Sequence, residues 1–479
     1  QYWRVYDTAK QVSSAARQFG RIWRLTETYG CTGWDFPFAG HKALGDWQVA
    51  CGINLRCQHL FWYTMEGEAK RDYPASIGYQ SPWWECYPAV EDYFARIHLA
   101  MTRGAEVRDL LVIHPIESMW AISTRGFTGD PAVKALDIAF GEMRDTLMME
   151  HIDFDYGDED ILARHGAVKR QHGAILQVGQ AGYRVALVPP LKTMRASTLK
   201  LLQKFAAAGG TVVFAGEPPA FVDGKPSMAV QEFARTCPKS PARGKGLAEA
   251  VAKARRLHIV DAAGKEIGPA LYLLREDADA FYLFVCNTGH DPRKRTYTPN
   301  DDPRVALRTA AFPSVIIRGF AACKGAPVEL DPRTGGCWTA ATKKTAKGWE
   351  IRTSLPALGS RLFVIPKKKS ALKVPARKAL ADLRAVPFGP RRWAVTRSEP
   401  NVLVLDRPRY RVNGGRLHRA EEILRIDRAV RAGLGLPARG GAMVQPWARE
   451  KAAQPKRAEV TLVYTVTIAA LPAGPVALA

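Results

Sequence analysis

The stretch "RIWRLTETYGCTGWDFPFAGHKALGDWQVACGINLRCQHLFWY", Arg21 to Tyr63, sets the architecture of what surrounds it. "RIWRLTE" reads as a strand, "HKALGDWQVAC" at 41–51 as a helix stopped by Gly52, and "INLRCQHLFWY" as a second strand. Upstream, "KQVSSAARQFG" puts Val12, Ala15, Ala16 and Phe19 on one helical face, with Gly20 as the stop. Downstream, a helix over 84–103 is closed by Gly104. Helix, Gly, strand in repetition predicts βα units and a parallel sheet. A closed (β/α)8 barrel needs eight such strands. Two precede residue 105, so residues 1–105 are expected to be the C-terminal portion of a barrel.

From Asp109 the rhythm restarts. "DLLVIHP", "HIDFDYG", "GAILQVG", "YRVALVPP" and "GGTVVFAG" are short apolar strands, with helices expected over 131–149 and 195–208. Residues 106–225 therefore read as a doubly wound α/β domain. Residues 255–366 change to short strands separated by Gly, Pro and Asp turns, the pattern of a β-sandwich. A basic connector follows over 367–391. A last β unit, 392–479, contains "NVLVLDRPRYRV", a helix near 420–434 and the alternating strand "VTLVYTVTI".

With 479 residues, 47% of them hydrophobic, the chain is a multidomain globular protein. No apolar run approaches the roughly 20 residues that cross a bilayer, and residues 1–20 lack a signal-peptide pattern. The sequence begins at Gln1, so its start is expected upstream, and a periplasmic or extracellular location is expected. The net charge of +23 is unevenly placed. Residues 1–160 carry 15 Lys and Arg against 23 Asp and Glu, and residues 361–479 carry 24 against 8. The C-terminal excess is scattered Arg without interleaved aromatics, which argues against nucleic acid as a partner. The eight cysteines show no CxxC pair and read as free, buried thiols.

Glu27 falls at the C-terminal end of an expected parallel strand, where (β/α)8 proteins hold catalytic groups. Gly30 and Gly33 allow a sharply turning loop, and Tyr29, Trp34 and Phe36 offer flat apolar faces of the kind that stack on sugar rings. The other reading of Glu27 is a strand-end salt bridge or turn cap, and the residues alone leave both open. Asp35 is near enough in sequence to reach the site or to brace it. His59 and Trp62 end the next strand and would share the mouth of Glu27; the apolar neighbours on its side of the strand, Ile53, Leu55, Cys57 and Phe61, favour His59 as a satisfied core histidine over a sugar-binding one. The loop 64–88, with Glu66, Glu68, Asp72, Trp83 and Trp84, has the length of a binding loop, and its charges read as solvated. Lys42 and Asp46 read as a surface i,i+4 pair. "DFDYGDED", 153–160, lacks the calcium-loop pattern and reads as a solvated helix start.

The series "SSAARQFGR", "LTETYGCTGWDF", "HKALGDWQVACGIN", "QHLFWYT", "PWWECYP" and "VIHPIESMW" resembles the end of the catalytic barrel in family 106 α-L-rhamnosidases and the wider β-galactosidase-like group. The resemblance implies a barrel, an α/β domain similar to class I glutaminases, a β-sandwich and a galactose-binding-like β-sandwich, in that order. It further implies a glycoside hydrolase acting on plant or microbial oligosaccharides or polysaccharides, with α-L-rhamnosides among the candidates. On this resemblance Glu27 is a catalytic carboxylate and Trp34, His59 and Trp62 line the sugar pocket; Tyr29, Asp35 and Trp83 are expected to bind the sugar from their place in the sequence. The second carboxylate would lie upstream of Gln1. Calcium is the metal the resemblance raises, and its ligands do not map onto these positions. The alternative is a non-catalytic carbohydrate-binding or structural fragment of such an enzyme.

Overall fold

The computed structural model describes residues 2–30, 32–34, 36–63, 76–125, 129–170, 172–289, 310–369, 374–376 and, further on, chiefly 403–437 and 456–469. Residues 1–380 form one compact unit and 381–479 a second.

The chain opens on helix α1, Tyr2–Gln18, longer than its apolar stripe predicts, and stops at Gly20, whose φ of +65° is left-handed. Strand β1, Leu25–Thr28, and strand β2, Leu55–Gln58, pair in parallel, with Glu27 beside Cys57. Helix α2, Phe38–Ala50, connects them, and helix α3, Pro88–Met101, follows. A Cβ at Gly45 of α2 would strike the Phe94 ring of α3, so the two helices approach closely because Gly45 lacks one.

A five-stranded parallel sheet comes next. Its order is 239–240, 211–215, 185–188, 110–113, 154–157, the doubly wound 2-1-3-4-5 arrangement. "GAILQVG" is not part of it. Ala174–Val178 instead pairs antiparallel with Gly166–Arg170 and Ala181–Tyr183, because the two-residue Gly179–Gln180 turn makes a hairpin. Helix α1 covers the free edge at Phe154–Gly157: Ser14 Oγ accepts from Tyr156 N at 2.9 Å, and Gln18 Nε2 donates to Tyr156 O at 2.9 Å.

Arg108 sits at this junction, fully buried. It donates to Asp153 at 2.9 Å, to Asp155 at 2.7 Å and to Ser13 of α1 at 2.7 Å. Lys10 reaches Asp153 at 2.6 Å and Arg17 reaches Asp155 at 2.6 Å. Asp155 is therefore an enclosed anion and not a solvated one, which corrects the reading of "DFDYGDED" at its start. Further along that run Asp158 caps the helix Glu159–His165.

Residues 258–366 form two antiparallel sheets. The four-stranded one runs 258–260, 312–320, 348–355, 342–345. The six-stranded one runs 337–339, 328–330, 360–366, 280–287, 270–276, and ends on Ala105–Glu106. Its outer face, with Leu271, Leu273 and Phe284, packs on Trp47 of α2 and on Phe94 and Ile97 of α3. Its inner face, with Leu274, Leu283 and Phe363, packs on Ile317 and Ile351. That enclosure overturns the surface reading of Asp46, which is 2% exposed. Lys42 meets it at 2.5 Å, Tyr93 donates to it at 2.7 Å, and Ser360 of the sandwich also holds Lys42. Burial raises the Asp46 carboxyl, against the pull of Lys42.

The second unit contains an antiparallel pair, Arg409–Val412 with Val460–Val463, and a helix, Ile423–Gly433, capped by Glu422. Cys51, Cys286 and Cys323 are buried and free as expected, but Cys57, Cys86 and Cys337 are exposed and Cys237 is intermediate; Cys31 lies outside the described residues. Among the described residues no helix is long and apolar enough to cross a membrane.

Candidate functional site

Alternation along β1 decides where its side chains go. Arg24, Thr26 and Thr28 turn toward the helices, where Thr26 Oγ1 donates to Gln48 at 2.9 Å. Leu25 and Glu27 turn to the open face, and so do Leu55 and Cys57 of β2. The Glu27 side chain is 68% exposed there, at the C-terminal end of its strand. His59 continues the ladder, its N donating to Thr28 O at 2.8 Å, and brings Nδ1 within 3.5 Å of Glu27 Oε1.

Beyond Glu27 the chain turns at Tyr29, whose φ of +71° is unusual for a non-glycine residue and is held by what surrounds it. Thr32 Oγ1 donates to Tyr29 O at 2.7 Å. The Tyr29 ring is buried, and its hydroxyl accepts from Arg56 at 2.6 Å and donates to His41 O at 3.2 Å. Burial pushes the Tyr29 phenol up to about 12, although Arg56 opposes it. Arg56 in turn reaches Glu91 at 2.9 Å, and Gln58 donates to the same carboxylate at 2.8 Å. Arg56 was missed from sequence, although its place between the open-facing Leu55 and Cys57 put it on the helix side, where a buried cation needs a partner.

The loop sets Trp34 at 42% exposure with its ring 5.3 Å from that of Trp62, edge to face at 84°. Trp62 is buried and fixed through its backbone, accepting from Gln80 at 2.5 Å and donating to Ser76 at 3.1 Å. Its indole Nε1 is buried and has no hydrogen-bond partner among the described residues, a donor left for something else to accept from. Trp83 packs edge-on against Phe38 at 5.3 Å and near Tyr87 and His41, in the aromatic layer under α2. Burial lowers the His41 imidazole within that layer. Asp35, Glu66, Glu68 and Asp72 lie outside the described residues. The structure thus brings Glu27 to His59 and Trp34 to Trp62, and sets Tyr29 and Trp83 in packed surroundings. Among the described residues no group of three or more His, Cys, Asp or Glu side chains could hold a metal ion.

The first pair offers an exposed carboxylate beside an imidazole, able to accept or relay a proton. The second offers an indole face and an indole N–H. No protein-family model matches the chain, and no curated protein sequence does. Solved structures do. A rhamnosidase from Novosphingobium sp. PP1Y superposes with a TM-score of 0.54 at 17% identity, over 84% of this chain and 35% of that one. A β-galactosidase from Bacillus circulans sp. alkalophilus gives 0.45 at 12%, over 76% and 58%. α-L-Fucosidase isoenzyme 2 from Paenibacillus thiaminolyticus gives 0.43 at 10%, over 74% and 62%. The chain thus spans about a third of the rhamnosidase and under two thirds of the other two. At these identities the likeness is one of fold, and that fold, mixed α/β with several sheets, is glycoside-hydrolase-like.

Proposed function

We propose that this chain carries part of the (β/α)8 catalytic barrel of a glycoside hydrolase, with Glu27 as one of its two working carboxylates. The observation that carries the reading is the placement of Glu27: exposed at the C-terminal end of a parallel strand, 3.5 Å from His59. Trp34 and Trp62, which follow the two strands in sequence, support it by offering an apolar face and an unpartnered donor. In this role Glu27 is the nucleophile or the base that activates water. Its partner carboxylate decides between them, at about 5–5.5 Å for retention and about 6.5–9.5 Å for inversion. The sheet β1–β2 supports the finer fold, since Leu25 and Leu55 are 52% and 38% exposed on the face that a barrel interior would enclose. Further parallel strands, joined at that sheet, would complete the barrel. The likeness to the rhamnosidase makes α-L-rhamnosides the first substrates to test.

Turnover of a panel of aryl glycosides, α-L-rhamnoside first, is the direct test. Glu27→Gln should lower turnover by at least about 100-fold while leaving thermal unfolding unchanged. Turnover preserved in that variant overturns the assignment. The same open face favours a second reading, a carbohydrate-binding piece without turnover of its own. That reading predicts sugar binding lost in Trp34→Ala and unaffected in Glu27→Gln.

A further inference from the structure

Helices of the α/β domain and the first turn of the β-sandwich enclose a cleft of ≈ 400 Å³, a volume that suits one monosaccharide. On the α/β side it is lined by Glu150, at the end of the helix Pro131–Met149, and by Lys245 and Glu249 of the helix Lys245–Ala250. Arg255 follows in the chain and also lines it. Lys265 and Glu266, in the turn after the strand His258–Val260, form the sandwich side.

Both walls are fixed, so the cleft is preformed. Asp261 Oδ1 accepts from Ala263 N and from Lys265 N at 2.9 Å, and Gly264 turns at a φ of +81°, which together set the tight turn that carries Lys265. Glu266 is pinned from both domains. His151, just past the helix Pro131–Met149, places Nδ1 2.6 Å from Glu266 Oε2 and Nε2 2.9 Å from Ala270 O, while His258 Nδ1 meets Glu266 Oε1. Burial would raise the Glu266 carboxyl, but the two histidines outweigh burial and hold it at about 2, so it stays ionised and committed to them.

What is left uncommitted is mostly cationic. Arg255 Nη2 donates to Glu150 Oε2 at 3.2 Å and Nη1 lies 3.9 Å from Glu266 Oε1, yet Nε is buried with no acceptor among the described residues. A buried guanidinium N–H without an acceptor is costly, and a ligand oxygen removes that cost. Lys245, Lys265 and Glu249 are exposed and form no ion pair among the described residues. With Arg255 answered by Glu150 and Glu266 by the histidines, two lysines face one glutamate, and one positive charge is in excess.

We infer that this cleft binds a sugar acid, whose carboxylate is taken by Arg255 Nε, Lys245 and Lys265 while Glu249 accepts from a ring hydroxyl. A single carboxylate matches the excess charge, whereas a phosphate, at about −1.5 to −2, exceeds it. Hydroxyls donate to carboxylates, which gives Glu249 a use beside the lysines. The inference does not require Glu27 to be catalytic.

Calorimetric titration of the whole chain at low salt with galacturonate, galactose and inorganic phosphate tests it. Galacturonate should bind saturably, and galactose, the same ring without the carboxylate, at least about tenfold more weakly. Lys245→Met and Lys265→Met should each weaken galacturonate several-fold, and Arg255→Lys, which keeps the charge and loses Nε, by about tenfold. Lys253→Met, at an exposed lysine of the same stretch that does not line the cleft, should leave binding unchanged. Trigalacturonate identifies the source: binding tighter than that of galacturonate marks a unit of an acidic polysaccharide, and equal or weaker binding a free sugar acid. The inference falls if galacturonate does not bind, if galactose binds as well as it does, or if phosphate binds more tightly. It falls equally if Lys245→Met and Lys265→Met leave affinity unchanged, or if Lys253→Met costs as much as they do.

Discussion

Two parallel βα sheets lie in the first unit, and they meet solvent differently. In the central strand 110–113 of the five-stranded sheet all four residues are fully buried, with a paired strand on each side. Among the described residues β1 has a single partner, and Leu25 is more than half exposed. The sequences follow that difference: "LLVI" is an uninterrupted apolar run, whereas "LTET" alternates and can carry a glutamate. A carboxylate belongs on the sheet whose face is open, since on the closed one it would need an ion pair such as that of Asp155.

The contrast can be broken at its closed end first. Arg108→Met should destabilise the protein by about 3–5 kcal/mol in denaturant unfolding, because it leaves Asp153 and Asp155 buried with less compensation. A loss under 1 kcal/mol would mean that Lys10 and Arg17 suffice. Next in size, Leu110→Ala should cost about 2–5 kcal/mol and leave a cavity in the closed sheet. Leu25→Ala, the matched change on the open sheet, should stay within about 0.5 kcal/mol. Equal losses at the two leucines would show that the β1 face is covered in solution, as further barrel strands would cover it.

Much of this was legible locally. Gly20, Gly52 and Gly104 mark the helix ends where the structure has left-handed glycines, because only a residue without Cβ turns there at little cost. Glu27 meets His59, and Trp34 meets Trp62, within one βαβ unit, so short-range reasoning could reach each pair. Asp46 was misread since Ser360, which closes over Lys42 and Asp46, is more than 300 residues away in sequence. Sequence separation also hid the packing of Arg108 against Ser13, 95 residues away, and of Glu329 beside Arg361, and no period of 2.0 or 3.6 residues reports such encounters. The start of α1 was missed for a local reason: "YWRVYDTAK" has no acidic residue in its first turn to announce a helix.

A pH-dependent effect concerns the joint between the open sheet and the sandwich. Glu106 pairs with Arg24, which precedes β1, and with Arg275 of the six-stranded sheet. Burial alone would raise its carboxyl, but Arg275, Arg108 and Arg24 outweigh burial and hold it at about 2, against 4.5 for a free glutamate. A carboxyl depressed by folding stabilises above its unfolded value and loses that contribution as pH falls from there toward the folded one. Stability should therefore decline from about pH 4.5 to about pH 2, by on the order of 2 kcal/mol from this group. Glu106→Gln should lower stability at neutral pH and make the acid limb shallower, measured as denaturant midpoint against pH. An acid limb of unchanged slope in that variant would remove Glu106 from the joint and leave acid sensitivity to carboxylates such as Asp155, in which case the open and closed sheets would be coupled through α1 and Arg108 alone.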